Sequence, residues 1–266
     1  MEFKFIELEK QKATRIICFH SPPANGLNLE VVEELARAID LLKKEAAEVR
    51  CLILASRIEN MFIAGADIKM IRSYMGSPNL VQLMVQFNTR LQETINEVEA
   101  LSFPVVACIN GHAMGGGLEL ALACDFRFMA QGKARLGLPE GNLGLFPGAG
   151  GTQRLPRLIG KSQTKDIIFN VKFLPAEDAL DLGMVDRIFP PESLMAETLK
   201  YAEGFQNRAA VSIAVVKMCI NQGVELSLKE GLDLEMKGLE RLLSTADARE
   251  GVTAFLEKRK PIFQGK

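Results

Sequence analysis

Short apolar runs alternate with longer amphipathic segments up to about residue 190 of the chain. Short runs bounded by turn residues are typical of strands, whereas apolar residues that recur every three or four positions are typical of helices. The pattern predicts strands over residues 3–8, 14–19, 51–55, 105–109, 125–130, 135–137 and 185–188. It predicts helices over residues 29–48, 68–75, 80–100, 118–124, 150–159, 161–170 and 176–182. This alternation of strands and helices indicates an α/β fold.

The pattern changes after Pro190. From there on only helical periodicity is found, over residues 192–207, 210–222, 227–244 and 246–257. A change from alternating elements to helices alone marks a boundary between two structural units. We place that boundary near residue 195, with an α/β core over residues 1–195 and a helical region over residues 196–266.

The composition narrows the class of protein. The chain has 266 residues, of which 48% are hydrophobic and 24% are charged, a balance typical of a soluble globular protein with a large core. Its formal net charge of −1 gives no electrostatic basis for binding nucleic acid or an anionic membrane. The N-terminus enters a strand pattern directly, and no apolar run approaches the roughly 20 residues that span a bilayer. We therefore expect a cytoplasmic protein, or the mature form of an organelle protein, whose partners include neither nucleic acid nor membrane.

The cysteines and histidines give no sign of a disulfide framework or a metal site. The five cysteines stand apart, mostly in apolar segments, as expected for reduced and buried thiols of an intracellular protein. The two histidines, His20 and His112, lack partners at ligand spacing, so we expect no bound metal.

Three consecutive glycines, Gly115–Gly117, lie between the predicted strand over residues 105–109 and the helix over residues 118–124. Each glycine costs a regular element roughly 0.5–1 kcal/mol relative to alanine, so the run indicates that the backbone closely approaches another group. The first turn of a helix has unpaired N–H groups and a partial positive charge, which suits an oxygen that becomes anionic during a reaction. Glu119 lies three residues after Gly116, so one N–H group and one carboxylate could converge on one small space. The same pattern also fits a glutamate that only caps a tight turn.

Two further segments carry candidate groups of the same kind. Small residues at 64–66 again allow the backbone to approach closely before a helix, and Asp67 is placed to cap that helix. The amide of Ala66 is then a second candidate donor. Glu140, in a loop flanked by proline and glycine, is a second candidate carboxylate.

Together these segments resemble the crotonase superfamily, which includes the enoyl-CoA hydratases and isomerases. The resemblance rests on the runs Ala64–Asp67, Ile109–Asp125, Pro139–Glu140 and Pro147–Leu155, in this order. It extends over nearly the whole chain, from residue 22 to residue 261. The resemblance implies a crotonase-like spiral of ββα units, followed by a helical C-terminal region for oligomerisation and closure of the active site. It also implies a homotrimer or a dimer of trimers.

The resemblance further implies a substrate and a reaction. Members bind an acyl-CoA thioester and direct its carbonyl oxygen at two backbone N–H groups, which match Ala66 and Gly116 here. In the hydratases two glutamates, which match Glu119 and Glu140, hold the water that adds in the syn sense to a 2-trans-enoyl-CoA and gives a 3-hydroxyacyl-CoA. Glu119 then matches the base that activates the water, and Glu140 matches the acid that protonates C2. Coenzyme A is part of the substrate, and no other cofactor is expected.

Other positions match substrate-binding residues of the family. They are Ala24, Asn25, Leu27, Ala64, Asp67, Ile68, Gly115, Pro139 and Gly148. The loop over residues 22–27 also fits a simple turn before a capped helix. The basic run over residues 258–260 fits either a solvated terminus or a contact with CoA phosphates. The methionine-rich segment over residues 70–87 fits either core packing or the wall of an acyl pocket.

Other functions stay open on the sequence alone. A Δ3,Δ2-enoyl-CoA isomerase needs only one of the two glutamates and often lacks the one that matches Glu119. Thioester hydrolysis and decarboxylation usually, though not always, change these positions. One branch of the superfamily binds RNA, which the nearly neutral charge of this chain does not favour. The presence of both glutamates favours the hydratase.

Overall fold

The computed structural model describes residues 3–266, and within this range nine strands form two sheets. The strands are β1 (Ile6–Gln11), β2 (Thr14–Phe19), β3 (Cys51–Ser56), β4 (Met61–Ile63), β5 (Val105–Ile109), β6 (His112–Met114), β7 (Phe126–Ala130), β8 (Leu136–Gly137) and β9 (Arg187–Phe189). The large sheet has the order β1-β2-β3-β5-β7-β9, and only its β1–β2 hairpin is antiparallel. The small sheet has the order β4-β6-β8 and is parallel throughout.

Helices connect and follow these strands. They are α1 (Leu29–Lys44), α2 (Ile68–Met75), α3 (Leu80–Glu99), α4 (Gly116–Leu122), α5 (Gly151–Ile159), α6 (Lys161–Phe169), α7 (Ala176–Asp181), α8 (Leu194–Glu203), α9 (Ala210–Gly223), α10 (Leu228–Leu243) and α11 (Ala246–Leu256). A 3-10 turn over Pro139–Leu143 lies between β8 and α5.

Strands β3 to β8 follow one repeating path. β3, β5 and β7 are neighbours in the large sheet, and each is followed by a strand of the small sheet. Each pair of strands then leads into helices, which are α2 and α3 after the first pair, α4 after the second and α5 after the third. The chain therefore winds in ββα units, and the predicted α/β fold with its crotonase-like spiral is confirmed.

The core surrounds the large sheet because both faces of its central strands are covered. β3 and β5 are buried almost throughout, as is typical of parallel strands with apolar neighbours on both sides. α8 packs across the strands from β2 to β9. On α1, Val31, Leu35, Ile39 and Leu42 are buried at the spacing of one helix face.

The sequence pattern does not predict β4 or β6. Each has three residues and adjoins a glycine turn, so neither shows the alternation that identifies a strand. Their pairing sets the direction in which the chain continues. β4, β6 and β8 run in parallel, so the segments after them leave the small sheet at one edge.

Two strand bounds differ from the prediction for identifiable reasons. The first strand begins at Ile6 rather than residue 3, because the N–H groups of Lys4 and Phe5 donate to the carboxylate of Glu34 on α1. The last strand begins at Arg187 rather than residue 185, because the N–H groups of residues 184 and 185 both donate to the carbonyl of Ala179 at the end of α7.

The predicted boundary near residue 195 falls inside α8, which lies on the large sheet. α9, α10 and α11 follow it, with α9 and α10 packed against each other. Lys217 of α9 joins this group to the core through a 2.7 Å ion pair with Asp125 and a 3.2 Å hydrogen bond to the carbonyl of Phe103. The division into a catalytic unit and an oligomerisation unit stays a prediction. Within residues 3–266, none of the helices combines the length and the apolar composition that a bilayer crossing requires.

Gly117 lies at a close contact between α4 and β4. A methyl group built on its Cα would overlap the carbonyl oxygen of Ile63 and lie 2.6 Å from the Cβ of that residue. We predict that Gly117→Ala lowers the free energy of unfolding by roughly 1–3 kcal/mol, because α4 must move away from the small sheet. Denaturant unfolding measures the change. Gly76→Ala is the control, since Gly76 ends α2 at φ −84° and a methyl group there would meet nothing within 4 Å. Equal losses in the two variants would contradict the packing argument.

Candidate active site

A cavity of about 570 Å³ lies where the segments that leave β4, β6 and β8 meet α2 and α3. Because these segments leave one edge of a parallel sheet, residues far apart in sequence are brought to one place. Most of the predicted site residues line this cavity. They are Ala64, Ala66, Ile68, Gly115, Gly116, Glu119, Pro139, Glu140 and Gly148.

The amides of Ala66 and Gly116 are unpaired within residues 3–266. Leu27 pairs with the segment after β4, donating its N–H to the Gly65 carbonyl and accepting from the Asp67 N–H at 2.9 Å. Successive N–H groups of an extended segment point to opposite sides, so the N–H of Ala66 points away from Leu27. Gly116 is the first residue of α4, where an N–H has no partner within the helix. Both residues line the cavity, so both amides are available as donors to a ligand in it.

The two turns that carry these amides touch each other. A methyl group built on Gly65 would lie 2.9 Å from the carbonyl oxygen of Met114 and 3.5 Å from the amide nitrogen of Gly116. Gly65 and Gly115 also have φ values of +93° and +50°, which side chains disfavour. Glycine is therefore required at both positions for the two amides to lie on one wall.

Glu119 is only 2% exposed, and its carboxylate is held by a distant loop. Its Oε1 accepts from the amides of Ala149 at 2.7 Å and Gly151 at 2.8 Å. Burial raises the pKa of Glu119, while these two amides and the positive charge of Arg154 oppose the rise. No side chain forms a cap at the start of α4, and the Glu119 carboxylate accepts no hydrogen bond there. The hypothesis that Glu119 only caps this turn is therefore wrong. Its Oε2 has no hydrogen-bond partner within the described residues and lies toward Gly116.

Glu140 lies in the 3-10 turn, and its Oε1 faces Gly115 in the glycine turn before α4. A methyl group built on Gly115 would lie 2.7 Å from this oxygen. The Oε2 of Glu140 is buried and has no hydrogen-bond partner within residues 3–266. Burial raises the pKa of Glu140 to about 7, and the nearby charge of Glu119 adds to the rise. A buried acceptor without a partner is costly, so the site is suited to a water molecule or a polar group of a ligand.

The rest of the cavity wall is mostly apolar. α2, α3 and the segment after the 3-10 turn supply these side chains, and several of them are exposed at the mouth. The apolar lining includes Ile68, Ile71, Met75, Val81, Met84, Val85, Phe87, Leu143 and Phe146. Of the methionine-rich segment, Met75, Met84 and Phe87 therefore face the cavity, and Met70 does not.

Four of the predicted substrate-binding residues lie outside the cavity wall and support it from behind. Asn25 is fully buried, and its carboxamide donates to the Phe62 carbonyl and accepts from the Ser21 N–H. The Ala24 carbonyl accepts from the amide of residue 64, and Leu27 pairs with residues 65 and 67. The Asp67 carboxylate caps α2, as the sequence predicted. Direct contact of these four residues with a substrate stays a prediction.

Ala149 and Gly151 are site residues that the sequence did not predict. Their amides lie in the turn before α5 and hold Glu119 from 30 and 32 positions further along the chain. The run of small residues at 148–151 before a helix is the signal, since it has the same form as the turns before α2 and α4. Its partner was not predictable, because hydrogen-bond partners at such separation depend on the tertiary fold.

In the basic run over residues 258–260, Arg259 forms ion pairs with Glu250 and Glu257, each at 2.6 Å.

The five cysteines are free thiols. No group of three or more His, Cys, Asp or Glu residues that could hold a metal ion is found in the described part of the chain.

The arrangement combines two kinds of group in one cavity. Two fixed N–H donors can stabilise an oxygen that gains negative charge, because they need no reorganisation when the charge develops. Two carboxyl groups of unequal environment can take up and deliver protons, since one is anchored by amides and the other has its pKa raised to about 7. Such a site is suited to reactions that pass through an enolate-like oxyanion.

Comparison with known proteins gives one consistent result. The family model for enoyl-CoA hydratase/isomerase matches residues 9–266. The chain is 40% identical over 249 residues to the enoyl-CoA isomerase/hydratase fer4 of Mycosarcoma maydis, covering 91% of this chain and 89% of the relative. It is 34% identical over 267 residues to the crotonyl-CoA hydratase of Syntrophomonas wolfei, covering 100% of both. The crystal structure of an enoyl-CoA hydratase from Bacillus anthracis superposes with a TM-score of 0.92 at 35% identity, covering 99% of this chain and 100% of the other.

The raised pKa of Glu140 predicts a pH-dependent stability difference. Folding favours the neutral form of this side chain. Its contribution to the free energy of unfolding is therefore fully present below the ordinary pKa of 4.5 and is lost as the pH rises through about 7. Glutamine cannot ionise. We therefore expect Glu140→Gln to gain stability over the original chain between pH 5 and pH 8, by on the order of 1–3 kcal/mol. Denaturant unfolding at both pH values measures the gap. Glu235→Gln, at an exposed position of α10, is the control, and a pH-independent gap for residue 140 would refute the assignment.

Proposed function

This chain belongs to the enoyl-CoA hydratase/isomerase family of the crotonase superfamily, and on that premise we propose that it adds water to 2-trans-enoyl-CoA thioesters to give 3-hydroxyacyl-CoA. The observation that carries the proposal is the presence in one cavity of the buried Glu119, the half-buried Glu140 and two amides that are unpaired within residues 3–266. Relatives whose names include crotonyl-CoA hydratase and short-chain-enoyl-CoA hydratase support it.

In the proposed reaction the thioester oxygen accepts hydrogen bonds from the amides of Ala66 and Gly116. Addition at C3 moves electron density through C2 onto this oxygen, which becomes enolate-like. The two amides stabilise the charge as it develops, and the loss of one such donor typically costs about 10²–10³ in rate. The thioester itself is the electron sink, so coenzyme A enters as part of the substrate and the proposal requires no other cofactor.

The two carboxyl groups then divide the proton transfers. Glu119 is held through Oε1, which leaves Oε2 to take a proton from water as the C3–O bond forms. Glu140 keeps its proton near neutral pH because its pKa is raised to about 7, and it delivers that proton to C2. Glu119 returns its proton to Glu140 through solvent, so that one water is added in each cycle. Because the two groups interact, the pH dependence of the reaction belongs to the pair.

The acyl chain is proposed to lie in the apolar part of the cavity between α2, α3 and the segment after the 3-10 turn. Exposed apolar side chains at the mouth, such as Val81 and Val85, are expected to contact it. Coenzyme A is then expected to extend toward the loop over residues 22–27, which supports the Ala66 turn. Arg259 is already paired with two carboxylates, so Lys258 and Lys260 are the better candidates for a contact with CoA phosphates.

An isomerase is the second candidate. Shifting a double bond from C3 to C2 needs the same oxyanion donors and only one carboxyl group to move a proton between C2 and C4. The relative from Mycosarcoma maydis carries both activities in its name. Two amides hold the carboxylate of Glu119, and an oxygen of Glu140 has no hydrogen-bond partner within residues 3–266. These two groups favour the hydratase, because the water needs partners on both sides.

We also propose that the chain assembles as a homotrimer or a dimer of trimers. The C-terminal helices expose large apolar side chains, and monomeric proteins rarely expose large contiguous apolar patches. On α9 and α10 these are Val216, Ile220, Leu228, Leu232, Met236, Leu239 and Leu243, several at the spacing of one helix face.

Substitution on α10 tests the assembly. We expect sedimentation of the original chain to give a trimer or a multiple of it, and Met236→Asp to shift the distribution toward monomer because a charge would be buried at the interface. Lys237→Asp is the control, since it places the same residue at an exposed polar position of α10. A monomeric original chain would contradict the proposal.

Removal of either carboxylate tests the reaction. Loss of the conjugated-thioester absorbance of 2-enoyl-CoA esters of several chain lengths measures hydration. We expect Glu119→Gln and Glu140→Gln each to lower kcat by about 10²–10⁴, because each removes one proton transfer. Glu235→Gln is expected to retain full activity. Full hydratase activity in either site variant would exclude the paired mechanism, and isomerisation without hydration would favour the second candidate.

A further inference from the structure

Each of the two peptide groups that hold Glu119 forms hydrogen bonds through both its N–H and its carbonyl. The N–H of Ala149 belongs to the Gly148–Ala149 peptide, and the N–H of Gly151 belongs to the Gly150–Gly151 peptide. Both carbonyls of these peptides also accept hydrogen bonds. A hydrogen bond to the carbonyl polarises the N–H of the same peptide and fixes the direction in which it points.

The two carbonyls are bonded by different kinds of donor. The Gly150 carbonyl accepts from the amides of Gln153 at 2.9 Å and Arg154 at 2.7 Å, in the first turn of α5. The Gly148 carbonyl accepts instead from the Nε2 of Gln92, a side chain on α3. One peptide is thus oriented by helix geometry, whereas the other is oriented by a single side chain.

Gln92 belongs to a row of polar side chains on α3 that faces this loop. Asn96 and Glu99, about one and two helical turns further along, each bond the guanidinium of Arg154 at 2.6 Å. Arg154 in turn lies against Gly150 and donates to the Ala149 carbonyl at 3.4 Å. α3 therefore holds the loop at several points, and Gln92 bonds the peptide whose N–H donates to the carboxylate.

We propose that Gln92 is a positioning residue for Glu119, acting through the Gly148–Ala149 peptide, and this proposal rests on the proposed function. With the Gln92 donor in place, the Ala149 N–H points at Oε1 of Glu119 and leaves Oε2 toward the cavity. Without it, this peptide is free to rotate, and Glu119 keeps only the Gly151 amide as a fixed donor. The carboxylate then loses both its orientation and part of the stabilisation of its charge.

The charge environment makes this loss measurable. Besides the two amides, the charged groups that face Glu119 are Glu140 from the 3-10 turn and Arg154 from α5. Neither changes when Gln92 is replaced by methionine. A hydrogen bond to a carboxylate lowers its pKa, so weakening the Ala149 contact raises the pKa of Glu119. The acidic limb of the pH–rate profile belongs to the coupled pair of glutamates, and it moves to higher pH because the pair then loses its first proton less readily.

Gln92→Met and Gln92→Glu test the proposal together. Methionine keeps the length without a donor, and glutamate keeps the shape but turns an acceptor toward the carbonyl. We expect kcat to fall about 5- to 10-fold in Gln92→Met, the worth of one hydrogen bond, and at least as far in Gln92→Glu. KM should change by less than about twofold, and the acidic limb should shift upward. Gln86→Met, at an exposed position of α3 outside the cavity, is expected to leave kcat and the pH profile unchanged.

The outcomes separate this proposal from the proposed function. An original chain that hydrates none of the enoyl-CoA esters refutes the proposed function before the variants are compared. If the original chain is active, unchanged kcat and an unshifted limb in Gln92→Met or Gln92→Glu overturn the positioning role. A rise in KM with unchanged kcat also overturns it, because Gln92 lines the cavity and would then act by contacting substrate.

Discussion

The candidate site depends on one constraint, the parallel pairing of three very short strands. β4, β6 and β8 have three, three and two residues, yet their carboxyl ends deliver an amide, a second amide with its glutamate, and the other glutamate to one edge. So small a sheet is not stable alone, and it is held by its connections to β3, β5 and β7 in the large sheet. The large core thus stabilises a chemical arrangement to which it contributes few side chains of its own.

The two carboxyl groups lose contact with water to different degrees and are compensated in different ways. Glu119 is nearly inaccessible, but two amides and the charge of Arg154 compensate for the loss of water. Glu140 has one buried oxygen without a hydrogen-bond partner in the described part of the chain, and burial raises the pKa of this side chain to about 7. The two chemically identical side chains therefore have unequal environments, and unequal environments can separate the pKa values of two such groups. Under the proposed function, the acid and base roles follow from the environment of each group.

The sequence allowed the fold class and most of the helices to be predicted, because long amphipathic patterns such as that of α1 determine a helix by themselves. It also indicated the groups of the candidate site, since Gly115–Gly117 and Glu119 are neighbours in the chain. It did not reveal β4 and β6, which are too short to show a period. Nor did it reveal the hydrogen bonds from the amides of Ala149 and Gly151 to Glu119. Those contacts join residues 30 or more positions apart, and they exist only once α5 packs beside α4.

The same geometry separates chemistry from selectivity under the proposed function. The amides and carboxyl groups come from strand ends and the turns after them, where a shift of the backbone would misplace a donor. The apolar wall comes from α2 and the first half of α3, where Val81, Met84 and Val85 precede Gln92 by about two to three helical turns. Side chains there can change in size without moving the glycine turns. The far half of α3, in contrast, holds the loop that clasps Glu119. One helix therefore presents a replaceable wall at one end and a support for the base at the other.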